Sequence, residues 1–550
     1  MRIARTCWAM VAGLTAALAA GAELADERGH TVTQVPIGVR WGECYTQAVV
    51  PGQWESVRDG QRRMWYVYRT GRRVLLRAGD ARYAESIDDA PERLAGIDFG
   101  MPKASAHLRD AIAGGARDLV VMCWHDAVRK LPPLPAGRGF ALVVQGSGFT
   151  DLSTVGRQTG IEALAIQDCG HVADLRPLAS LTNLTSLSLS SCKNLSHLRP
   201  LAALKRLATL ELMGLGEKAD LSALRDLPAL RNLRFSSPRL DVVPPLDHVA
   251  CLRYVYNGGG RTVADLSRLW QLPRLRALEL DRCSRMTDIA PLRDLEALTW
   301  LDLGDCDAIE DFSPLASLTK LRTLRIHGSG NLRNLSFLTE LPHFEELSLA
   351  AGGGLTDLSA LAKAARLRRL RILNCRRATD LAPLRQLTGL RELDLHCGYT
   401  LADLSALAGL VNLRELRINY CERVPTLAPL AKLTRLTRLE MRSVKRVRDL
   451  SPLANLTELR VLNIGRCDGV SELTPLANLK KLEELDLLMM RRVTDLSPLA
   501  RLPRLMRLRI YGSRAIRSYE PLRAMVRRGG TIKADTRQEA ALRPIRETDF

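Results

Sequence analysis

The sequence repeats itself every 23 residues. One unit, DLSPLANLTELRVLNIGRCDGVS from Asp449 to Ser471, serves as the type. Its first position recurs at Asp151, Asp174, His197, Asp220, Val242, Asp265, Asp288, Asp311, Asn334, Asp357, Asp380, Asp403, Thr426, Asp449, Glu472, Asp495 and Ser518, with one 22-residue step between Asp220 and Val242. A fixed period of this length marks stacked supersecondary units, none of which buries its apolar side alone. The 550 residues therefore read as one elongated solenoid with an N-terminal piece, and function has to be sought across the stack.

Each phase of the unit has a physical part. Leu459, Leu462 and Ile464 form an L-x-x-L-x-L step whose alternating end predicts a short parallel strand, with Leu462 and Ile464 inward and Val461, Asn463 and Gly465 outward. Cys467 turns inward at the strand exit. Ser451-Pro452 offers an N-cap followed by proline at the first helical position, and Leu453 and Leu456 then pack back on the strand from the other side.

These residues resemble the leucine-rich repeat. The C-x-x-V step at Cys467–Val470 is similar to the cysteine-containing subclass, and D-L-S-P-L-A-x-L is similar to internalin-like bacterial repeats. The combined 23-residue form resembles repeat proteins of trypanosomatid parasites and some bacteria, from about residue 119 to 532. The resemblance implies an α/β repeat solenoid, a horseshoe or arc with a parallel concave β-sheet, short helical or irregular convex segments and a small N-terminal cap. It implies a binding scaffold but names no partner.

The expected division is a signal peptide at 1–22, a cap region at 23–115, a solenoid at 116–533 that is regular from 151, and a loose polar tail at 534–550. The first segment has Arg2 and Arg5, an apolar run, and Ala20-Gly21-Ala22 before Glu23, which fits a secretory signal cleaved after Ala22. A secreted, periplasmic or cell-surface location follows, with a cytoplasmic one as the alternative. No later stretch is apolar enough to span a bilayer. Within the cap, RRMWYVYRTGRRVLLR predicts two strands around Thr70-Gly71, and Lys103 to Ala113 reads as helix. The pattern is irregular from Pro238 to Gly260.

Twelve cysteines in an exported chain ordinarily suggest disulfides. Here Cys169, Cys192, Cys283, Cys306, Cys375, Cys421 and Cys467 share one phase, eighteen residues into the repeat, which predicts a structural ladder of thiols. Cys44 and Cys251 fall off it, and a disulfide involving them stays open. Without a C-x-x-C or Cys/His cluster, no metal site is expected. No cofactor motif, no glycine-rich phosphate loop and no Ser/His/Asp set is present, so the chain reads as non-enzymatic.

The candidate partner-facing residues are the outward row of the strands. It includes Asp302, Arg325, Arg371, Asp394, Arg417 and Glu440, where acid and base alternate closely enough for lateral pairing. The large outward rings Tyr254, Tyr256 and Trp300 are candidate anchors, since interface hot spots favour Tyr, Trp and Arg. The net charge of +20 is carried by 80 basic residues, only twelve of them lysine. Part of it falls two residues before the first strand leucine, at Arg276, Arg322, Arg368, Arg391, Arg414 and Arg460, predicting a basic edge. A protein partner is the leading expectation. An anionic glycan or lipid at the arginine edge is the alternative, followed by an intracellular scaffold or substrate receptor. The mixed sign of the strand row argues against nucleic acid.

Overall fold

The computed structural model describes the backbone of strands at 24–25, 31–32, 53–58, 64–70, 73–78, 94–98, 118–124 and 140–145, and the chain from 150 to 546 apart from 167–168, 217, 238–243, 245, 257–265, 267–268, 270–271, 351–353, 375–376, 379 and 397–400. The signal-like segment, the helix expected at 103–113 and most of the irregular stretch lie outside these residues. The chain forms two compact units, Met1–Leu275 and Arg276–Phe550.

In the first unit, strands Gln53–Arg58, Met64–Thr70 and Arg73–Ala78 form an antiparallel sheet, with Thr70 opposite Arg73. The two strands expected around Thr70-Gly71 are thus Met64–Thr70 and Arg73–Ala78. A separate parallel sheet begins with Leu94–Asp98, inside the stretch assigned to the cap, and runs through Asp118–Trp124, Phe140–Gln145, Ile161–Ile166, Ser186–Leu189, Thr209–Leu212, Asn232–Ser237 and Cys251–Tyr256. Its first coils lack the leucine signature, so the period cannot show where the stacking starts.

The second unit holds strands Ala277–Asp281, Trp300–Gly304, Thr323–His327, Glu346–Ala350, Arg369–Leu373, Glu392–His396, Glu415–Arg417, Arg438–Glu440, Val461–Asn463, Glu484–Asp486, Arg507–Arg509 and Thr531–Lys533, in parallel register. Through Arg507–Arg509 each residue pairs with the one 23 positions later, so a repeat phase becomes a row across the sheet. Leu453, Leu456, Leu459, Leu462, Ile464 and Cys467 are completely buried. At about 1.5–3 kcal/mol per fully buried leucine or isoleucine, this ladder is the main source of stability.

The convex segments are one-turn 3-10 helices such as Ser313–Ser317 and Ser497–Arg501, with proline in the first two positions and an inward leucine. Their capping differs from expectation. The cap position belongs to the residue before the serine, for instance Leu450, and the serine makes no cap. The leading acid does this work. Asp449 Oδ1 accepts the Ser451 N–H at 2.7 Å and its Oδ2 accepts the Ser451 hydroxyl at 2.6 Å. Where the acid is replaced, Asn334 Oδ1 and Thr426 Oγ1 accept the equivalent N–H, each at 3.1 Å. In these coils the phase supplies an oxygen acceptor two residues before the first free N–H.

A second regularity was not visible in the leucines. The residue before the cysteine phase has positive φ in coil after coil: Arg282, Asp305, Gly328, Asn374, Tyr420, Ser443, Arg466, Met489 and Gly512. Only glycine takes this conformation without cost. The non-glycine residues are held there because their N–H extends the ladder one step past the strand. Arg466 N donates to Leu488 O at 2.7 Å and Met489 N to Tyr511 O at 2.9 Å.

The tail expectation is corrected. Residues Thr536–Arg546 form a helix, not a loose polar end. Leu542 and Ile545 are buried, and Gln538 Nε2 donates to Ile510 O at 3.0 Å and Ser513 O at 3.1 Å. One apolar stripe and one amide close the last coil, satisfying carbonyls that a further repeat would have taken.

Candidate binding surface

The outward face of the second unit's sheet carries three rows. The middle row runs Glu279, Asp302, Arg325, Ser348, Arg371, Asp394, Arg417, Glu440, Asn463, Asp486, Arg509 and Lys533, in register. The row before it includes Trp300, Glu346, Arg369, Glu392, Glu415, Arg438, Glu484 and Arg507. Strands about 4.8 Å apart bring long side chains of both rows into contact.

Three clusters result. In the first, the Arg325 guanidinium lies over the Trp300 ring, 5.6 Å from its centre, and pairs with Glu346 at 3.4 Å. Arg369 donates to Glu346 Oε2 from Nε at 2.9 Å and Nη2 at 2.7 Å. Glu346 is only 3% exposed and Arg325 7%, although both stand on the outer face. Beside them, burial pushes His327 below the usual histidine range, helped by the Arg325 charge and opposed by Asp305.

The second cluster centres on Arg417, which meets Glu415 at 3.0 Å, Glu440 at 3.4 Å and Asp394 at 3.9 Å. Burial pushes the Asp394 carboxyl up, while Arg417 and Arg371 oppose the shift. The lateral pair expected between Arg371 and Asp394 is not formed. Arg371 acts on Asp394 only at longer range, because Arg417 holds the shorter contact. Burial, then the neighbouring Glu415, pushes Glu392 up. At the strand exits His396 stacks on Tyr420, ring centres 4.9 Å apart.

The third cluster lies at the end of the row and contains the lateral pair of Asp486 and Arg509 that the row predicts. Asp486 Oδ2 accepts from Arg509 at 2.8 Å and from Arg442 at 3.1 Å. These side chains line a depression of about 340 Å3 with Arg438, Glu440, Asn463, Glu484, Arg507 and Lys533. Asp486 and Arg509 belong to the outward row read from the sequence. Arg442 stands at the strand exit and Lys533 after the leucine phases fail, where sequence carries no signal.

The other sequence candidates divide. Tyr254 and Tyr256 lie in strand Cys251–Tyr256, in the first unit, and their side chains fall outside the described residues. Of the edge arginines, Arg322, Arg368, Arg391, Arg414 and Arg460 are exposed and Arg276 is half-buried. The strip is less uniformly basic than expected. Arg322 pairs with Glu345 at 3.5 Å and Arg460 with Glu483 at 3.3 Å, because glutamates occupy the same phase one coil on. The main chain of this phase has its own role, as Arg391 O accepts both Arg414 N at 2.7 Å and Glu415 N at 3.0 Å.

In the cysteine phase, Cys192, Cys283, Cys306, Cys421 and Cys467 are buried, free thiols, and so is Cys251. Cys44 and the side chains of Cys169 and Cys375 lie outside the described residues. Cys467 Sγ donates to Met441 O at 2.9 Å and Cys192 Sγ to Leu189 O at 3.2 Å. Burial pushes the Cys421 and Cys467 thiols up to about 12. Ser329 and Ser513 take the same phase, and Ser513 Oγ donates to Leu487 O at 2.5 Å. A small inward donor suits this strand exit, and where Leu215, Val444 and Met490 take the phase it is filled by buried apolar side chains instead. Among the described residues no group of three or more His, Cys, Asp or Glu is placed to hold a metal ion, and no helix is long and apolar enough to cross a membrane.

The family model for a leucine-rich repeat region matches residues 275–529. The chain contains a leucine-rich repeat region. Its fold is shared with a leucine-rich-repeat protein of Leptospira interrogans, at 18% identity over 73% of this chain and 98% of that one, TM-score 0.52. Similarity extends to an internalin from Listeria monocytogenes, at 20% identity over 74% of this chain and 88% of that one, TM-score 0.32. The functional domain of the Listeria monocytogenes protein InlJ, which includes a cysteine ladder, is 17% identical over 62% of this chain and 72% of that one, TM-score 0.36. A comparison with curated protein sequences returns no match. In leucine-rich-repeat terms the strand row is the sheet face, the 3-10 turns are the opposite side, and the ladder thiols are part of the spine.

Proposed function

We propose that this leucine-rich-repeat protein is an exported, non-enzymatic scaffold that binds another protein through the sheet face of residues 277–509. The observation that carries the reading is the network of Trp300, Arg325, Glu346 and Arg369. Its large side chains are already fixed against one another, so little conformational freedom remains to be lost when a partner docks. Alternation of sign along the row favours a partner with matched charges over a uniform polyanion. Export rests on the leader-like segment 1–22; N-terminal sequencing of the mature chain checks it, and an intact Met1 overturns it.

The binding test is site-specific photocrosslinking from position 371 on the sheet face, with a convex-side position, 501, as control. A partner identified from the sheet face is then titrated against Arg371→Glu and Trp300→Ala. We expect each change to weaken binding by about tenfold or more. Unchanged affinity in both variants overturns the reading.

One observation favours a second ligand class. Arg368, Arg391 and Arg414 are exposed on successive coils, and no ion pair joins them among the described residues. An anionic glycan or lipid surface fits this edge. Binding to sulfated polysaccharide that weakens steeply with salt, and is lost in the triple glutamine variant, supports this reading; affinity indifferent to salt removes it.

A further inference from the structure

Within the sheet-face reading, we infer that the depression at the end of the middle row is a receptor pocket for an acidic side chain of the protein partner. Its walls carry more positive than negative charge. Each acid lining it is already engaged: Glu440 with Arg438 at 3.2 Å and Arg417 at 3.4 Å, Glu484 with Arg507, and Asp486 with Arg509 at 2.8 Å and Arg442 at 3.1 Å. Asp486 is further committed, since its Oδ1 accepts the Leu488 N–H at 2.9 Å, and the residue is only 9% exposed. The cations are not matched one for one. Arg438, Arg442, Arg507, Arg509 and Lys533 line the same space.

Two donors are left over. Arg442 Nε is buried without a hydrogen-bond partner. Lys533 has no ion pair among the described residues and stands next to Arg509 at the end of the row, where register puts Asp486, Arg509 and Lys533 side by side. A carboxylate entering the depression meets exposed Lys533 without displacing an existing pair, with the charge of Arg442 beside Asp486 in the wall, whereas an entering cation meets a net positive wall. The floor, Leu462, Leu485 and Leu508, is buried and apolar, so an ion pair formed above it is partly shielded from water. Asn463, 7% exposed, has its Oδ1 fixed by the Gly465 N–H at 3.1 Å, which keeps that oxygen turned to the main chain.

The test uses the full chain and two fluorescein-labelled peptides, hexaglutamate and hexaglutamine, followed by anisotropy at low salt and at about 0.5 M salt. Hexaglutamate is expected to bind and hexaglutamine not. Lys533→Gln combined with Arg442→Gln should weaken hexaglutamate binding by about tenfold, and Lys533→Arg should keep it. The edge variant Arg368→Gln/Arg391→Gln/Arg414→Gln should change it by less than about twofold. Because Arg442 also holds Asp486, Lys533→Gln alone is measured as well, with the circular dichroism melt as a folding check. No binding of hexaglutamate, or equal weakening by the edge and pocket variants, overturns the proposal. If the pocket pattern is seen but no sheet-face partner is crosslinked, the pocket stands and the partner reading falls; a crosslinked partner with no hexaglutamate binding gives the reverse.

Discussion

Arg369 grips Glu346 with two donors on one carboxylate oxygen, Nε at 2.9 Å and Nη2 at 2.7 Å, across adjacent strands of the sheet. The pair sits on the outer face, yet Glu346 is 3% exposed, covered by the arginines that bind it. A charged residue on a binding face has thereby become part of the packing.

Removing Glu346 should take one partner from buried Arg325 and the acceptor of two hydrogen bonds from Arg369. Glu346→Ala is expected to destabilise the second unit by about 3 kcal/mol, and Glu346→Gln by less, because the amide oxygen still accepts from Arg369. Urea titration of the two variants checks the order. Equal and negligible shifts in both would show that the network is solvated.

The leading aspartates predict an acid-sensitive fold. Hydrogen bonds from Ser451 hold the Asp449 carboxyl below the usual range, and Asp311, Asp357, Asp403 and Asp495 are lowered by the matching serines. A depressed folded-state pKa contributes stability above the unfolded value of about 3.9, lost as pH falls through the folded value. Melting temperature should therefore drop steeply below about pH 4. Asp449→Asn should keep most of the cap at neutral pH, as Asn334 does, and Asp449→Ala should lower the melting temperature further.

His327 adds a separate window. Burial favours its neutral form, so the folded pKa lies below the unfolded value of about 6.5. Its contribution is complete above that value and is lost as pH falls through the folded one. His327→Gln should flatten the decline in stability between about pH 6.5 and 5, before the aspartates titrate. A slope unchanged by the substitution would place the titration elsewhere.

The ladder thiols should be inert in the native protein. With pKa values near 12, Cys421 and Cys467 are about one part in ten thousand thiolate at pH 8, and both are buried. Iodoacetamide should leave them unlabelled until urea is added. Mass spectrometry of peptides containing the two residues reads this directly, and rapid native labelling would overturn the structural assignment.

Coil spacing is tight at Gly469, where an added Cβ falls 2.3 Å from Val447 O and 2.9 Å from Lys445 O. Backbone cannot move aside as a side chain can, so Gly469→Ala should cost about 1–3 kcal/mol. Gly409→Ala, with nothing within 4 Å, is the matched control and should be near neutral.

The sequence by itself determined the stack. A 23-residue leucine period has one way to bury its apolar side, and the observed register follows it from Ala277 to Arg509. It also determined which residues form the outward row, because alternation in a strand is a local property. Side chains in different coils find their partners only when folded. The choice of Arg417 over Arg371 for Asp394, the glutamates that neutralise Arg322 and Arg460, and the burial of Glu346 depend on how long side chains share space between strands. Likewise, Asp449 and not Ser451 caps the turn, and Leu542 and Ile545 dock a helix expected as loose chain. These were decided by competition for unpaired backbone groups and for the exposed end of the ladder, which only the tertiary structure resolves.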